Sequence, residues 1–209
     1  MGYKKMTMPS LSGEEKNRGT AVQEIPNSLV YEEIDFRQIY YQGYKEVLSG
    51  SKTLEQIMGS SSLQASVIRV LLKFLYRHVD GDGFEVYTNE TGLHIEKGSN
   101  LSADIAVFNE KDIARYEFDD NYFRIPPEVS IEVDIKADLS NIKWEVYLKE
   151  KNSKLHDWGV KKVIWILTAS RQIIIAEPDQ DWAILEWTRT FPIVANHQIC
   201  LSELLSSEQ

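Results

Sequence analysis

The clearest periodicity in the chain lies between residues 62 and 79, where Leu63, Val67, Val70, Leu71, Phe74 and Leu75 recur at steps of three and four. That spacing predicts an amphipathic helix. Ser60 to Ser62 offer N-cap oxygens in front of it, and Gly81 and Gly83 stop it. The pattern then changes period. Residues 84–109 read as strands FEVYTN, LHIEKG and LSADIAVFN, with a turn expected at Glu90–Gly92. Residues 129–136 (VSIEVDIK) alternate strictly and predict a strand. Upstream, residues 29–41 suggest a strand pair turning near Asp35–Arg37, with a short helix at Leu54–Met58. Downstream, a helix over 143–157 ends at Trp158–Gly159, where glycine is a natural stop. VKKVIWILT and RQIIIAEP follow as strands, the first so uniformly apolar that it belongs at the centre of a sheet. ILEWT predicts a further strand and Leu201 the start of a short last helix. The fold class expected is α/β, a mixed β-sheet flanked by helices. Residues 1–26 are polar and aperiodic and predict a flexible arm, leaving residues 27–209 as one domain.

Charge and cysteine content narrow the function classes. With 23 Lys and Arg against 32 Asp and Glu, the formal charge is −9. This argues against a broad electrostatic footprint on nucleic acid and leaves room for a local basic patch. A single cysteine, Cys200, excludes an intramolecular disulfide and a cysteine-based zinc site. The N-terminus does not read as a secretory signal, and the longest apolar runs are too short to span a bilayer. A cytoplasmic protein without a membrane partner is the expectation.

The segment that carries candidate chemistry is Ser130–Lys136. Strand alternation puts Ile131, Val133 and Ile135 on one face and Glu132, Asp134 and Lys136 on the other, about 7 Å apart in succession. Asp104 enters another apolar strand, where a carboxylate is costly to bury unless paired or metal-bound. If the two strands are neighbours, Asp104, Glu132 and Asp134 converge into a hard oxygen site suited to Mg²⁺ or Mn²⁺. Lys136 would lie beside a water attacking a phosphodiester. The bland alternative is a structural ion-pair network. Glu32 and Glu33, at the start of a strand, are expected to face solvent.

An Asp on one strand followed by acid-x-Lys on the next resembles the PD-(D/E)XK nuclease superfamily. More closely, YEEID at 31–35, the helix at 62–79, SADIAVF at 102–108, PPEVSIEV at 126–133 and KLHDWGVKKVIWIL at 154–167 resemble, in order and spacing, the Uma2 family of restriction-endonuclease-like proteins. The resemblance implies a restriction-endonuclease-like fold, a divalent metal and a DNA substrate, with RNA or branched DNA as alternatives. The family's Asp carries over to Asp104 and its strand Glu to Glu132; the superfamily's acid-x-Lys carries over to Asp134 and Lys136. Many relatives place the basic residue on the following helix, which points to Lys149, Lys151 or Lys154; these three are also the candidates for phosphate contact. The acid that many superfamily members carry on the first helix is missing, and Gln64 is the nearest polar residue there. Cutting two strands implies a homodimer. The competing expectation is a catalytically inactive module of the same fold that binds nucleic acid or protein.

Overall fold

The structure is a computed structural model that describes residues 24–207, so residues 1–23 of the predicted arm lie outside the described residues. In chain order the strands are β1 (Val30–Ile34), β2 (Arg37–Tyr40), β3 (Phe84–Glu96), β4 (Ser99–Asn109), β5 (Val129–Val133), β6 (Lys162–Leu167), β7 (Gln172–Ala176), β8 (Ala183–Glu186), β9 (Thr190–Val194) and β10 (His197–Cys200). The helices are α1 (Tyr44–Leu48), α2 (Leu54–Met58), α3 (Ser62–His78), α4 (Glu110–Ile113), α5 (Trp144–Trp158) and α6 (Leu201–Ser206).

Among the described residues, β2-β1-β4-β5-β6-β7-β8 form one sheet, with β3 added alongside β4, and β9 and β10 pair separately. Every pairing is antiparallel except β5 with β6, where α5 makes the crossover that a parallel pair requires. β6 is central and buried, as its apolar run predicts. α3 lays Val67, Val70, Leu71 and Leu75 on one face of the sheet, against Ile105, Val107, Ile131 and Val133. α5 covers the other face with Tyr147, Leu148 and Leu155 over Ala106, Val163 and Trp165.

Local details differ from the sequence pattern at two places that matter. The turn expected at Glu90–Gly92 is a bulge inside one continuous strand, β3. Asn89 (φ 75°) and Glu90 (φ 53°) take left-handed backbone there, and the pairing with β4 slips between Thr88 and Thr91. The reversal comes later, at Gly98 (φ 83°), where an added Cβ would lie 2.6 Å from the Phe36 ring. The strand predicted over 129–136 stops at Val133, and Asp134 has φ 64°. Ile135 therefore leaves the α3 face that holds Ile131 and Val133 and packs in the core under α5.

β3 runs along the whole of one edge of β4. The other edge is shared: Asn100 pairs with β1, and Ile105–Val107 pair with β5. The sheet forks between these two contacts, and Asp104 sits in the fork.

Candidate active site

Continuing the Ile105↔Ile131 and Ala106↔Ser130 register by one places Asp104 opposite Glu132 on the α5 face. Their side chains nevertheless enter different surroundings, each with its own lysine.

The first cluster opens to the surface. Asp104 is 7% exposed. Its Oδ2 accepts the Val133 N–H at 2.8 Å, and its Oδ1 accepts Lys136 Nζ at 2.8 Å. Lys136 Nζ also donates to Glu90 Oε1 at 2.7 Å, and the Tyr41 hydroxyl donates to Glu90 Oε2 at 3.3 Å. The bulge in β3 is what turns Glu90 toward this point. Burial alone would lower the Lys136 pKa, but Asp104 and then Glu90 outweigh it and hold the ammonium above its ordinary range. Burial, with Glu90 alongside, pushes the Tyr41 phenol up to about 12, so it remains a donor. Glu90, Asp104 and Lys136 form the floor of a cleft of about 600 Å³, walled by Met58, Arg69 and Asn89 among others.

The second cluster is sealed. Glu132 is 1% exposed, and the Lys151 side chain is fully buried. Lys151 Nζ lies 3.0 Å from Glu132 Oε1 and 2.6 Å from Glu32 Oε1, and donates to the Ser102 carbonyl at 2.9 Å. The Tyr147 hydroxyl donates to Glu32 Oε2 at 2.7 Å, and Ser130 Oγ donates to Glu132 Oε1 at 3.2 Å. Burial pushes the Glu132 carboxyl up to about 8; Lys151 opposes the shift, and Asp104 and Glu32 add to it. Burial also works against the Lys151 ammonium, but Glu132 and Glu32 raise its pKa overall.

Several predicted residues stand elsewhere than expected. Asp134 does not join Glu132 and Lys136 on one face. The positive φ ends the alternation, and its carboxylate accepts the N–H and the hydroxyl of Thr168, both at 2.7 Å. It ties the end of β5 to the end of β6. Lys151 has no surface with which to meet a phosphate. Lys154 is paired with Asp35 at 2.6 Å and Glu96 at 2.9 Å, and Lys149 is exposed but borders a hollow with Glu150 and Asp157 rather than the cleft. Gln64 is buried and donates from Nε2 to the Val133 carbonyl at 2.7 Å.

The sequence does not single out Glu90, Tyr41, Tyr147 or Glu32 as site residues, and Glu32, expected in solvent, is only 2% exposed. A signal for Glu32 existed. Val30 and Ile34 flank it at two-residue spacing, which puts it on an apolar face. Glu90 gave none, because its position depends on a bulge.

Asp104 and Glu90 each place an oxygen within 2.8 Å of one ammonium, so the two carboxylates already converge on a cation position. Glu132 stands opposite Asp104 but is turned to Lys151. Among the described residues no three Asp, Glu, His or Cys side chains are gathered into a ready metal cage. The acids present fit a divalent cation at Asp104 and Glu90 once Lys136 withdraws from between them. Also among the described residues, no helix is long and apolar enough to cross a membrane.

No family model and no curated protein matches the chain. Among solved structures it is similar to the crystal structure of a protein from Anabaena variabilis described as a "putative nuclease belonging to DUF820". The two are 15% identical, the match covers 84% of this chain and 89% of the other, and the TM-score is 0.62. DUF820 is the Uma2 family. At that identity the likeness is one of fold, and it shows that the mixed sheet with its flanking helices is the nuclease-like fold that the resemblance to Uma2 proteins implied.

Proposed function

We propose that the chain is a divalent-metal-dependent phosphodiesterase acting on DNA, with its reaction centre at Asp104, Glu90 and Lys136 on the floor of the cleft and Glu132 directly behind. The observation that carries this reading is the open cluster itself. Two carboxylates and a lysine are held at the fork of the sheet, at the bottom of a cleft large enough for a nucleotide. Asp104 and Glu90 are the residues that would hold Mg²⁺ or Mn²⁺, an ion that when bound polarises a phosphoryl oxygen and acidifies a water, while Glu132 stays in the enclosed cluster behind them. Lys136, displaced from one carboxylate, keeps its ammonium within reach of the other and can donate to a phosphoryl oxygen or orient the attacking water. Tyr41 holds Glu90 in place through its hydroxyl. Two copies of the chain, each taking one strand, would cut both strands of a locally unpaired duplex; sedimentation tests whether a dimer forms.

Cleavage of supercoiled and single-stranded DNA with Mg²⁺ or Mn²⁺ tests the reading. Metal-dependent nicking is expected from the wild type and is expected to fall at least a hundredfold in Asp104→Ala and Lys136→Ala. A folded wild type that cuts neither substrate overturns it.

One observation favours a second reading, a non-catalytic nuclease-fold module. Each of the two central carboxylates is already matched by a lysine, Asp104 by Lys136 and Glu132 by Lys151. Calorimetry with Mn²⁺ separates the two, since a module of this kind binds none at millimolar metal.

A further inference from the structure

The acidic charge of the chain is unevenly spread. α3 contains no Asp or Glu, yet carries Arg69, Lys73 and Arg77 at four-residue steps. Tyr76 follows Arg69 by seven residues and Lys73 by three, so all four side chains lie along one flank of the helix. Each is exposed, Tyr76 by 49%. The opposite flank, with Val67, Leu71 and Leu75, is buried against the sheet, which fixes the direction in which the basic flank faces. Arg69 also lines the cleft above Asp104 and Lys136. The flank is therefore a track about 12 Å long at the helical rise, starting at the cleft wall and leading away from it.

Three cations and one exposed aromatic ring are the groups that hold an unpaired strand, the cations on phosphates and the ring on a base face. A duplex keeps its bases stacked on one another and gives Tyr76 nothing to stack on. We infer that this flank of α3 binds a single-stranded nucleic-acid segment of a few nucleotides and delivers it to the cleft, an inference that rests on the phosphodiesterase reading for its substrate class. The track also accounts for how so acidic a chain could take a polyanion: the contact is short, local and free of carboxylates on its own helix. Arg69 and Lys73 hold interactions within the free protein, which a phosphate would share or replace.

The test is fluorescence anisotropy of a labelled ten-residue oligothymidine and of a hairpin duplex, with the full chain in EDTA, so that binding is read apart from cleavage. The single strand is expected to bind more tightly than the duplex, with log K falling against log salt at a slope of about −2 for three phosphate contacts. Lys73→Ala with Arg77→Ala should reduce the slope to about −0.7. Tyr76→Ala should weaken binding roughly tenfold and Tyr76→Phe should not. These side chains are exposed, and a thermal melt verifies that each variant folds. Variants that bind as the wild type does, a preference for duplex, or no binding at all would overturn the inference. Metal-dependent cleavage that survives such a result would leave the phosphodiesterase reading standing; binding along the track without cleavage would remove that reading and keep the track.

Discussion

Two lysines each hold a pair of carboxylates in this fold, and they differ in what lies around them. Lys151 with Glu32 and Glu132 is enclosed on every side, with Tyr147 and Ser102 supplying further hydrogen bonds. Lys136 with Asp104 and Glu90 has the same composition but side-chain exposures of 17%, 6% and 33%. An enclosed ion cluster cannot exchange partners without unfolding something. An open one can trade an ammonium for a metal, a phosphate or water. The pairing chemistry is shared; access separates a brace from a candidate reaction centre.

The largest effect is expected where the enclosed cluster is broken. Lys151→Met leaves the buried Glu32 without its counter-charge and Glu132 without its partner, which costs about 3–5 kcal/mol. Urea unfolding should show that loss or a failure to fold. A variant as stable as the wild type would mean that the cluster does not brace α5 against the sheet.

Asp134 comes next, because it separates position in sequence from position in the site. Asp134→Ala loses both bonds to Thr168 and leaves a non-glycine residue with left-handed backbone, for a cost of about 2 kcal/mol. Asp134→Asn keeps an acceptor and tolerates that backbone, so it should recover about half. Under saturating metal, the folded fraction of either variant should cut DNA like the wild type, in contrast to Asp104→Ala. A hundredfold loss in Asp134→Asn would return Asp134 to the reaction centre.

Asp134 also shows where the sequence could be read and where it could not. The long elements were legible because their periods are enforced by burial: α3 by its three- and four-residue steps, β6 by its continuous apolar run, α5 by its terminal glycine. Asp104, Glu132 and Lys136 were legible as charged side chains that an apolar strand or its extension must accommodate. Alternation then misassigned Asp134, since its positive φ ends the strand at Val133 and strand periodicity no longer governs the residues beyond. Lys151 reads as a candidate for phosphate contact because it stands among other lysines on one helix, whereas its partners Glu32 and Glu132 come from strands 119 and 19 residues away. Glu90 depends on a bulge whose register slip involves β4. Contacts between distant segments decide all three cases, and no local pattern records them.

A smaller effect on stability, with a sharper effect on chemistry, is expected at the open cluster. Lys136→Met removes a partly exposed ion pair to Glu90 and the counter-charge of the buried Asp104, and should cost about 1–2 kcal/mol, less than the enclosed cluster loses because Asp104 keeps its bond from the Val133 N–H. It leaves Asp104 and Glu90 facing each other without a cation, so Mn²⁺ should bind more tightly than to the wild type by calorimetry, while cleavage is lost. Unchanged or weaker Mn²⁺ binding would show that these two carboxylates are not the cation position.

The finest distinction between the clusters is in their pH response. Glu132 has a folded pKa of about 8 against an ordinary 4.5, raised chiefly by burial. A carboxyl raised in this way favours folding in its neutral form. Its contribution is fully present below the unfolded value, and it is lost as pH rises through the folded one, because the unfolded chain gives up the proton first. Between pH 5 and 8 the wild type should therefore lose stability relative to Glu132→Gln, with a slope of at most about 1.4 kcal/mol per pH unit. Lys136, whose pKa is raised, contributes stability that is complete below the ordinary lysine value and is lost only above it, so it adds no slope in this window. Chemical denaturation of the two proteins at each pH measures the difference. A difference that stays flat from pH 5 to 8 would mean that Lys151 keeps Glu132 ionised throughout, making the enclosed cluster a fully charged triad instead of one that shares a proton.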